Sequence, residues 1–178
     1  MEARVVQINR SGGGVPKLPL EAARISVSGV EGDRQADKRY HGGPLQALCL
    51  FANEQVRRLA SEGFPVVPGS LGENLTTEGL PYWSVRIGDV YRAGEQVRFQ
   101  ITKPRVPCTT IQVYGEKIIK RLWGQDVPWG ESGFYARVVS PGAVRQGDPL
   151  HLEQAGPEPP PAHTQKRRLA EADFAPPR

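Results

Sequence analysis

The chain has 178 residues and a mass of 19.5 kDa, which is the size of one domain and leaves little room for a second core. Its net charge of +4 comes from 23 basic and 19 acidic residues in small local groups, so the composition favours a small anionic ligand over nucleic acid. No stretch reaches the roughly 20 apolar residues that span a bilayer, and no secretory pattern opens the chain, so we expect a cytoplasmic protein without membrane contact. Two cysteines do not indicate a disulfide framework.

Seven short apolar runs, separated by glycine and proline, predict β-strands. They lie at residues 3–10, 23–29, 45–51, 84–93, 94–103, 134–140 and 148–153. The clearest alternation is that of Val97, Phe99 and Ile101 with polar residues, which predicts one buried face. This number of strands predicts a mostly β fold closed into a barrel, because closure removes the exposed edges of a sheet.

Two segments predict short helices that cover the ends of this barrel. The first begins at Asn53, a residue type that caps helices, and carries Val56, Leu59 and Ala60 on one face. The second, at residues 115–124, has a similar apolar stripe between two glycines.

The composition of the chain changes near Glu153. Residues 154–178 are rich in proline and polar side chains, and they have too few apolar groups to offset the entropy of ordering. We therefore expect a domain at residues 1–153 and a flexible tail at residues 154–178.

Cys108 follows two prolines, Pro104 and Pro107, in the segment TKPRVPC. The prolines stiffen the backbone, and the nearby Lys103 and Arg105 favour the thiolate. The two threonines that follow are capping residue types, whose turn would direct free N–H groups toward the sulfur. These features favour a metal ligand or catalytic thiol, but they leave open a small buried hydrophobic residue, which is our prediction for Cys49.

A second candidate group lies in residues 29–47. Arg34 supplies charge, and Gly42 and Gly43 after His41 allow the backbone to approach a ligand closely. A polar loop between strands is equally compatible with this segment.

A third candidate is the segment GSLGENLTTEGL at residues 69–80. Glu73 and Asn74 lie between glycines, and an amide side chain can recognise both donors and acceptors of a polar heterocycle. Taken alone, the segment favours a tight turn that enters a strand.

The glycine-rich segment at residues 11–17 lacks the features of a phosphate loop, and we expect a flexible loop at the barrel mouth that could close over a ligand.

Together these motifs have a characteristic order. GDRxxxxxxHGG is followed by GENLTTEGL, RIGDVYRAG, TKPRVPC and GFYARVVSPGAVRQGD. In this order the chain resembles the MOSC domain, named for the C-terminal region of molybdenum cofactor sulfurases, and especially the small stand-alone bacterial members. The resemblance covers about residues 3–153.

The resemblance implies a barrel similar to the pyruvate kinase β-barrel domain and a working cysteine at Cys108. In members that bind molybdenum cofactor (molybdopterin), this cysteine is a thiolate ligand of the metal, and for other members a persulfide sulfur-carrier role is proposed. Stand-alone members are linked to the reduction of N-hydroxylated compounds such as hydroxylaminopurines.

Residue chemistry then assigns the remaining roles as hypotheses. The basic residues Arg34, Lys103 and Arg105 are suited to the cofactor's phosphate. The groups suited to its ring are those of Gly42, Gly43, Glu73 and Asn74. His41 could donate to a metal oxo group or to substrate, as a second catalytic residue beside Cys108.

Two departures from larger family members set the expected partners. Without the N-terminal barrel of the mitochondrial amidoxime reductases, the contribution of that module must come from this domain or from a second subunit, and the second alternative predicts a homodimer. Without a desulfurase-like domain, we expect no pyridoxal phosphate in this chain, and a separate desulfurase would donate sulfur. A reductase would also need an electron-donor protein and a small-molecule substrate.

Three functions therefore remain open. The first is a molybdenum-dependent reductase. The second is a non-enzymatic carrier of sulfur, as a Cys108 persulfide, or of cofactor. The third is an interaction protein that uses the basic tail TQKRRLAEAD, although three clustered basic residues make few phosphate contacts.

Overall fold

The computed structural model describes residues 2–34 and 42–162, and strands dominate this part of the chain. The strands are β1 (Arg4–Arg10), β2 (Leu18–Leu20), β3 (Ala22–Ser26), β4 (Gly29–Val30), β5 (Leu48–Ala52), β6 (Leu75–Glu78), β7 (Val90–Ala93), β8 (Val97–Pro104), β9 (Phe134–Ser140), β10 (Gly142–Arg145) and β11 (Leu150–Gln154). Eight form one sheet in the order β11-β7-β8-β9-β5-β6-β1-β2, and a smaller sheet has the order β10-β3-β4. The β5–β6 pair is parallel, whereas β5–β9 and β8–β9 are antiparallel.

The large sheet curves until β1 meets the start of β11. The Val5 N–H donates to the Asp148 carbonyl oxygen at 2.9 Å, and the Leu150 N–H donates to the Ala3 carbonyl oxygen at 2.8 Å. These bonds join distant strands of the sheet, although its continuous ladder remains open between β1 and β11. The predicted mostly β fold with a few short helices is therefore confirmed.

The concave face of the large sheet encloses the main core. Leu48 and Leu50 of β5 and Ala136 of β9 are at most 1% exposed and belong to one apolar cluster. Cys49 of β5 is paired in register with Tyr135 of β9, and each lies between these inward-facing positions. Because side chains alternate along a strand, this pair lies on the outer face of the sheet.

The helices cover part of that outer face. They are α1 (Asn53–Ser61) and α2 (Ile118–Leu122), and short 3-10 helices span Pro44–Gln46, Tyr82–Ser84 and Thr109–Tyr114. Phe51 of β5 packs with Leu59 of α1, Ile118 of α2 and Ile111 in a second apolar cluster. The covering segments thus create an interior space outside the main core.

Two details of the helix prediction were wrong. Ala52, not Asn53, occupies the N-cap of α1, because the Asn53 amide donates to the Glu78 carboxylate at 3.2 Å. Ala60 is exposed and does not share the buried face of the helix.

The predicted strand at residues 84–93 is shorter than expected. The Asp89 carboxylate accepts the Arg86 N–H at 2.8 Å and holds a turn, so β7 begins at Val90. The same carboxylate accepts the N–H of the buried Gly156 at 2.7 Å, and this bond packs the chain that follows β11 against the turn.

In the residues that the structure describes, no helix is long and apolar enough to cross a membrane. The last part of the predicted tail, from residue 163 onward, lies outside those residues.

Candidate functional site

An open pocket lies on the outer face of β5 and β9, with about 660 Å³ of space that includes the part open to solvent. The structure brings five of the predicted site residues to its lining, namely Arg34, Gly42, Asn74, Arg105 and Cys108. Residues from three separate sequence motifs therefore meet at one cavity.

Cys108 is presented by the irregular segment that follows β8. That strand ends at Pro104, and the next N–H, of Arg105, donates to the Gly133 carbonyl oxygen at 2.9 Å. Cys108 is half-buried and occupies the N-cap position of the 3-10 helix Thr109–Tyr114, without a side-chain capping bond. Its carbonyl oxygen accepts the Ile111 N–H at 3.3 Å, which fixes the backbone. The thiol therefore lines the pocket from a position anchored on both sides.

Arg105 places a buried cation in the wall of the pocket that this thiol lines. The residue is 4% exposed, and its guanidinium donates to the Leu71 carbonyl oxygen at 2.6 Å and lies 5.9 Å from the Phe51 ring centroid. Within residues 2–34 and 42–162, no carboxylate lies within ion-pair distance of it. Because a buried charge is costly without a counterion, this site favours an anionic ligand or a thiolate.

A second buried cation belongs to a closed network. Lys17 forms a salt bridge with Asp33, and both side chains are under a tenth exposed. Asp33 also accepts the Ser11 N–H at 2.9 Å and the Asn74 amide at 2.8 Å. The Asn74 oxygen in turn accepts the Cys49 N–H at 3.2 Å. The network joins the glycine-rich loop to β5 and the start of β6, and it uses part of the hydrogen-bonding capacity that we expected Asn74 to offer a ligand.

The glycine-rich loop reaches the pocket through Gly14 and Val15. The Lys17 N–H donates to the Gly69 carbonyl oxygen at 2.9 Å, and a Cβ at Gly69 would lie 2.2 Å from the Lys17 oxygen. Gly69 also has φ of 93°, so only glycine fits without displacement. This close approach fixes the loop against the wall that contains Gly72.

Glu73 lies behind the pocket wall rather than on its lining. One carboxyl oxygen accepts the Gly69 N–H at 2.6 Å and the Thr76 hydroxyl at 2.9 Å, and the other is buried with no hydrogen-bond partner. Burial is the main cause that raises the pKa of this carboxyl. Its contacts shape the 69–76 segment, and they do not place it where a ligand ring would be recognised.

Two further predicted residues, Lys103 and Gly43, are described by the structure and do not join the lining. The Lys103 ammonium lies 5.6 Å from the centroid of the Tyr135 ring. Gly43, with φ of 87°, precedes the 3-10 helix Pro44–Gln46. His41 lies outside the described residues, so its predicted role stays a prediction.

The lining also contains residues that were not among the predicted site residues, and three of these have ionisable side chains, namely Lys17, Cys49 and Tyr135. Cys49 is a core residue as predicted, with 6% exposure, yet it also touches the pocket. Burial raises the pKa of its thiol to about 11, so it remains protonated at neutral pH. The alternation of β9 could have identified Tyr135, because its neighbours Phe134 and Ala136 are both apolar and point inward.

The described residues contain no cluster of three or more His, Cys, Asp or Glu side chains that could hold a metal ion. A metal in this pocket would therefore need most of its ligands from a cofactor, with Cys108 as a protein ligand.

Comparison with known proteins identifies the family. The model of the MOSC domain matches residues 37–151. The chain belongs to the MOSC family. It is 38% identical over 148 residues to protein YiiM of Escherichia coli (strain K12), and 36% identical over 148 residues to the uncharacterized protein YflK of Bacillus subtilis (strain 168). These matches cover 75% and 80% of this chain, and the chain spans 64% of each relative's length.

A more distant relative and two crystal structures extend this comparison. A protein named "Reductase" from Gibberella moniliformis is 29% identical over 133 residues, which cover 71% of this chain and 23% of that protein. The YiiM structure from Geobacillus stearothermophilus superposes with a TM-score of 0.68 and 26% identity, covering 85% of this chain and 75% of the other. The YiiM structure from Escherichia coli gives 0.68 and 28%, covering 88% and 73%. The MOSC fold is thus shared with solved structures.

Proposed function

We propose that this MOSC protein binds a molybdenum cofactor with the Cys108 thiolate as a metal ligand, and that it reduces N-hydroxylated compounds. The observation that carries the proposal is that Cys108 and the buried Arg105 line one pocket. A cation that lacks a carboxylate partner in the described part of the chain stabilises a thiolate and an anionic ligand alike.

The side chains that line the pocket fit such a cofactor. A thiolate suits a soft metal centre, and one protein thiolate is sufficient when the cofactor supplies further ligands. Arg34 and Arg105 both line the cavity and provide positive charge for a phosphate. Lys17 adds charge, although its bond to Asp33 compensates most of it.

The apolar part of the lining would exclude water from the ligand. Leu71, Val106 and Ile111 line the same cavity as the basic residues. A ligand with a charged end and a planar, less polar end is complementary to this division. This complementarity supports a cofactor with a phosphate and a ring system.

When bound, the cofactor would supply the electron transfer, and the protein would supply the ligand, the charge and the shape of the pocket. The overall reaction converts an N–OH group, two electrons and two protons into an N–H group and water. The electrons must come from a separate electron-donor protein, which we include in the proposal. The relative named "Reductase" supports this reaction class by its name. The match covers 23% of that protein, so the remainder has length for other domains.

We also propose a homodimer and a cytoplasmic location.

The test compares the wild type with two single-cysteine variants purified from cells that synthesise the cofactor. We expect about one molybdenum per chain in the wild type and in Cys49→Ser, with reduction of a hydroxylaminopurine in the presence of a chemical electron donor. Cys108→Ser should lose this activity by more than about 100-fold, because a metal ligand has been removed. Cys49→Ser is the matched control, since its thiol is protonated and buried at the same pocket.

The sulfur-carrier function predicts a different result in the same preparations. A carrier would contain no molybdenum and would show a mass increase of one sulfur atom on Cys108 after incubation with a desulfurase and cysteine. Metal-free wild type with this modification and without reductase activity would overturn the proposed function.

A further inference from the structure

Tyr135 is a lining residue to which neither the sequence analysis nor the proposed function assigns a role. It lies in β9 directly opposite Cys49 of β5, and its partner in β8 is Lys103. It lines the same pocket as Cys108. Three neighbouring strands therefore hold this side chain on the outer face of the sheet, at the cavity.

The tyrosine ring is held from two directions. The Lys103 ammonium lies 5.6 Å from its centroid, a distance typical of a cation–π contact. The Tyr135 carbonyl oxygen accepts the Thr102 hydroxyl at 3.1 Å, and the same hydroxyl donates to the Leu45 carbonyl oxygen at 2.6 Å. These contacts restrict both the backbone and the ring, so the hydroxyl has a defined place in the pocket.

The other polar groups of the lining are largely engaged with the protein. Lys17 is paired with Asp33, the Asn74 amide donates to Asp33 and the Asn74 oxygen accepts the Cys49 N–H. Arg105 donates to the Leu71 carbonyl oxygen. By contrast, Tyr135 is only partly buried and lines the cavity, and among the described residues its hydroxyl donates no hydrogen bond. The O–H proton is thus available to a ligand that enters the cavity.

Burial and the nearby thiol groups raise the pKa of Tyr135, and a hydrogen bond with Arg105 opposes this rise. The phenol therefore keeps its proton at neutral pH, as an ordinary tyrosine would. If the guanidinium donates to the phenolic oxygen, the O–H proton remains for another acceptor.

We propose that the Tyr135 hydroxyl is a specificity-determining hydrogen-bond donor, which binds the oxygen of the N–O group of the substrate beside Cys108. This inference rests on the proposed function, because that function supplies the N-hydroxylated substrate. A site that donates to the substrate oxygen discriminates strongly against the product, which lacks that oxygen. The same contact would orient the N–O group toward the sulfur side of the pocket.

The test uses purified protein and a matched pair of ligands, a hydroxylaminopurine and the corresponding aminopurine, with affinities measured by calorimetry without an electron donor. The wild type should bind the hydroxylated compound about ten- to a hundred-fold more tightly, and Tyr135→Phe should bind both compounds within about threefold of each other. Tyr114→Phe, on the covering 3-10 helix and outside the pocket lining, should retain the wild-type discrimination.

A structural role of Tyr135 would lower both affinities equally, which would contradict the inference, as would full discrimination in Tyr135→Phe. A wild type that does not discriminate would contradict it as well. The outcome is separate from that of the proposed function, which the molybdenum content and the turnover of Cys108→Ser decide. A functional reductase whose Tyr135→Phe variant still discriminates would retain the proposed function and remove this contact.

Discussion

Replacement of Asp33 by asparagine should destabilise the protein strongly, because the change leaves the Lys17 ammonium without its counterion. The two side chains are 4% and 8% exposed, so water cannot replace the lost charge. Breaking a buried pair by removing one partner costs about 3–5 kcal/mol. The single amide oxygen of asparagine can still accept from the Lys17 ammonium and the Asn74 amide, but its NH₂ group then faces the Ser11 N–H, which the second carboxylate oxygen had accepted.

Urea unfolding and thermal melting measure this loss. For a chain of this size, about 2–4 °C per kcal/mol predicts that Tm falls by about 6–20 °C. The control is Glu31→Gln, which breaks the exposed ion pair between Arg24 and Glu31 at 3.6 Å. That variant should lose less than about 1 kcal/mol, since exposed pairs contribute little. If Asp33→Asn and the control lost the same small free energy of unfolding, the buried network would not hold the glycine-rich loop as described.

Three further predictions address other parts of the molecule. At pH 8 iodoacetamide should modify Cys108 well before Cys49, because a pKa of about 11 leaves roughly a thousandth of the Cys49 thiol ionised. If mass spectrometry showed that both cysteines are modified at the same rate, the described burial of Cys49 would be refuted. Hydrogen bonds from Arg57 and Arg4 lower the pKa of the Glu78 carboxyl. Its contribution to the free energy of unfolding, about 1 kcal/mol, should therefore be complete above the ordinary glutamate pKa and should be lost as the pH falls through the lowered pKa. Parallel pH profiles of stability for the wild type and Glu78→Gln would contradict this. Gly69→Ala should cost more than about 2 kcal/mol by urea unfolding, because its Cβ would meet a backbone carbonyl at 2.2 Å, and a cost near zero would exclude that close approach.

The strands of the fold could be predicted largely from alternation and turn residues. β8 and β9 follow their apolar pattern closely, and the order of the motifs along the chain is enough to indicate the family. The strand predicted from residue 84 failed because Asp89 caps a turn, a local hydrogen bond that competes with strand pairing and that the apolar pattern does not record. Asn53 failed as a cap for a related reason, since its amide bonds to Glu78, 25 residues away.

The part of the site that could be predicted is the part that its motifs contain, including Arg34, Gly42 and Asn74. Cys108 and Arg105 lie three residues apart, so their association was visible in the sequence. The pairing of Lys17 with Asp33 depends on the curvature that brings the glycine-rich loop against the start of β6, and no local pattern reports it. Cys49 was predicted as core because its run is apolar, and its second role at the pocket arises only when the covering segments enclose the outer face of β5.

X-ray absorption at the molybdenum edge tests the central claim most directly, on protein purified from cells that make the cofactor. The account predicts that molybdenum in the wild type and in Cys49→Ser has the same number of sulfur neighbours, and that Cys108→Ser has one fewer. An equal sulfur count in all three proteins would contradict the assignment of Cys108 as the ligand.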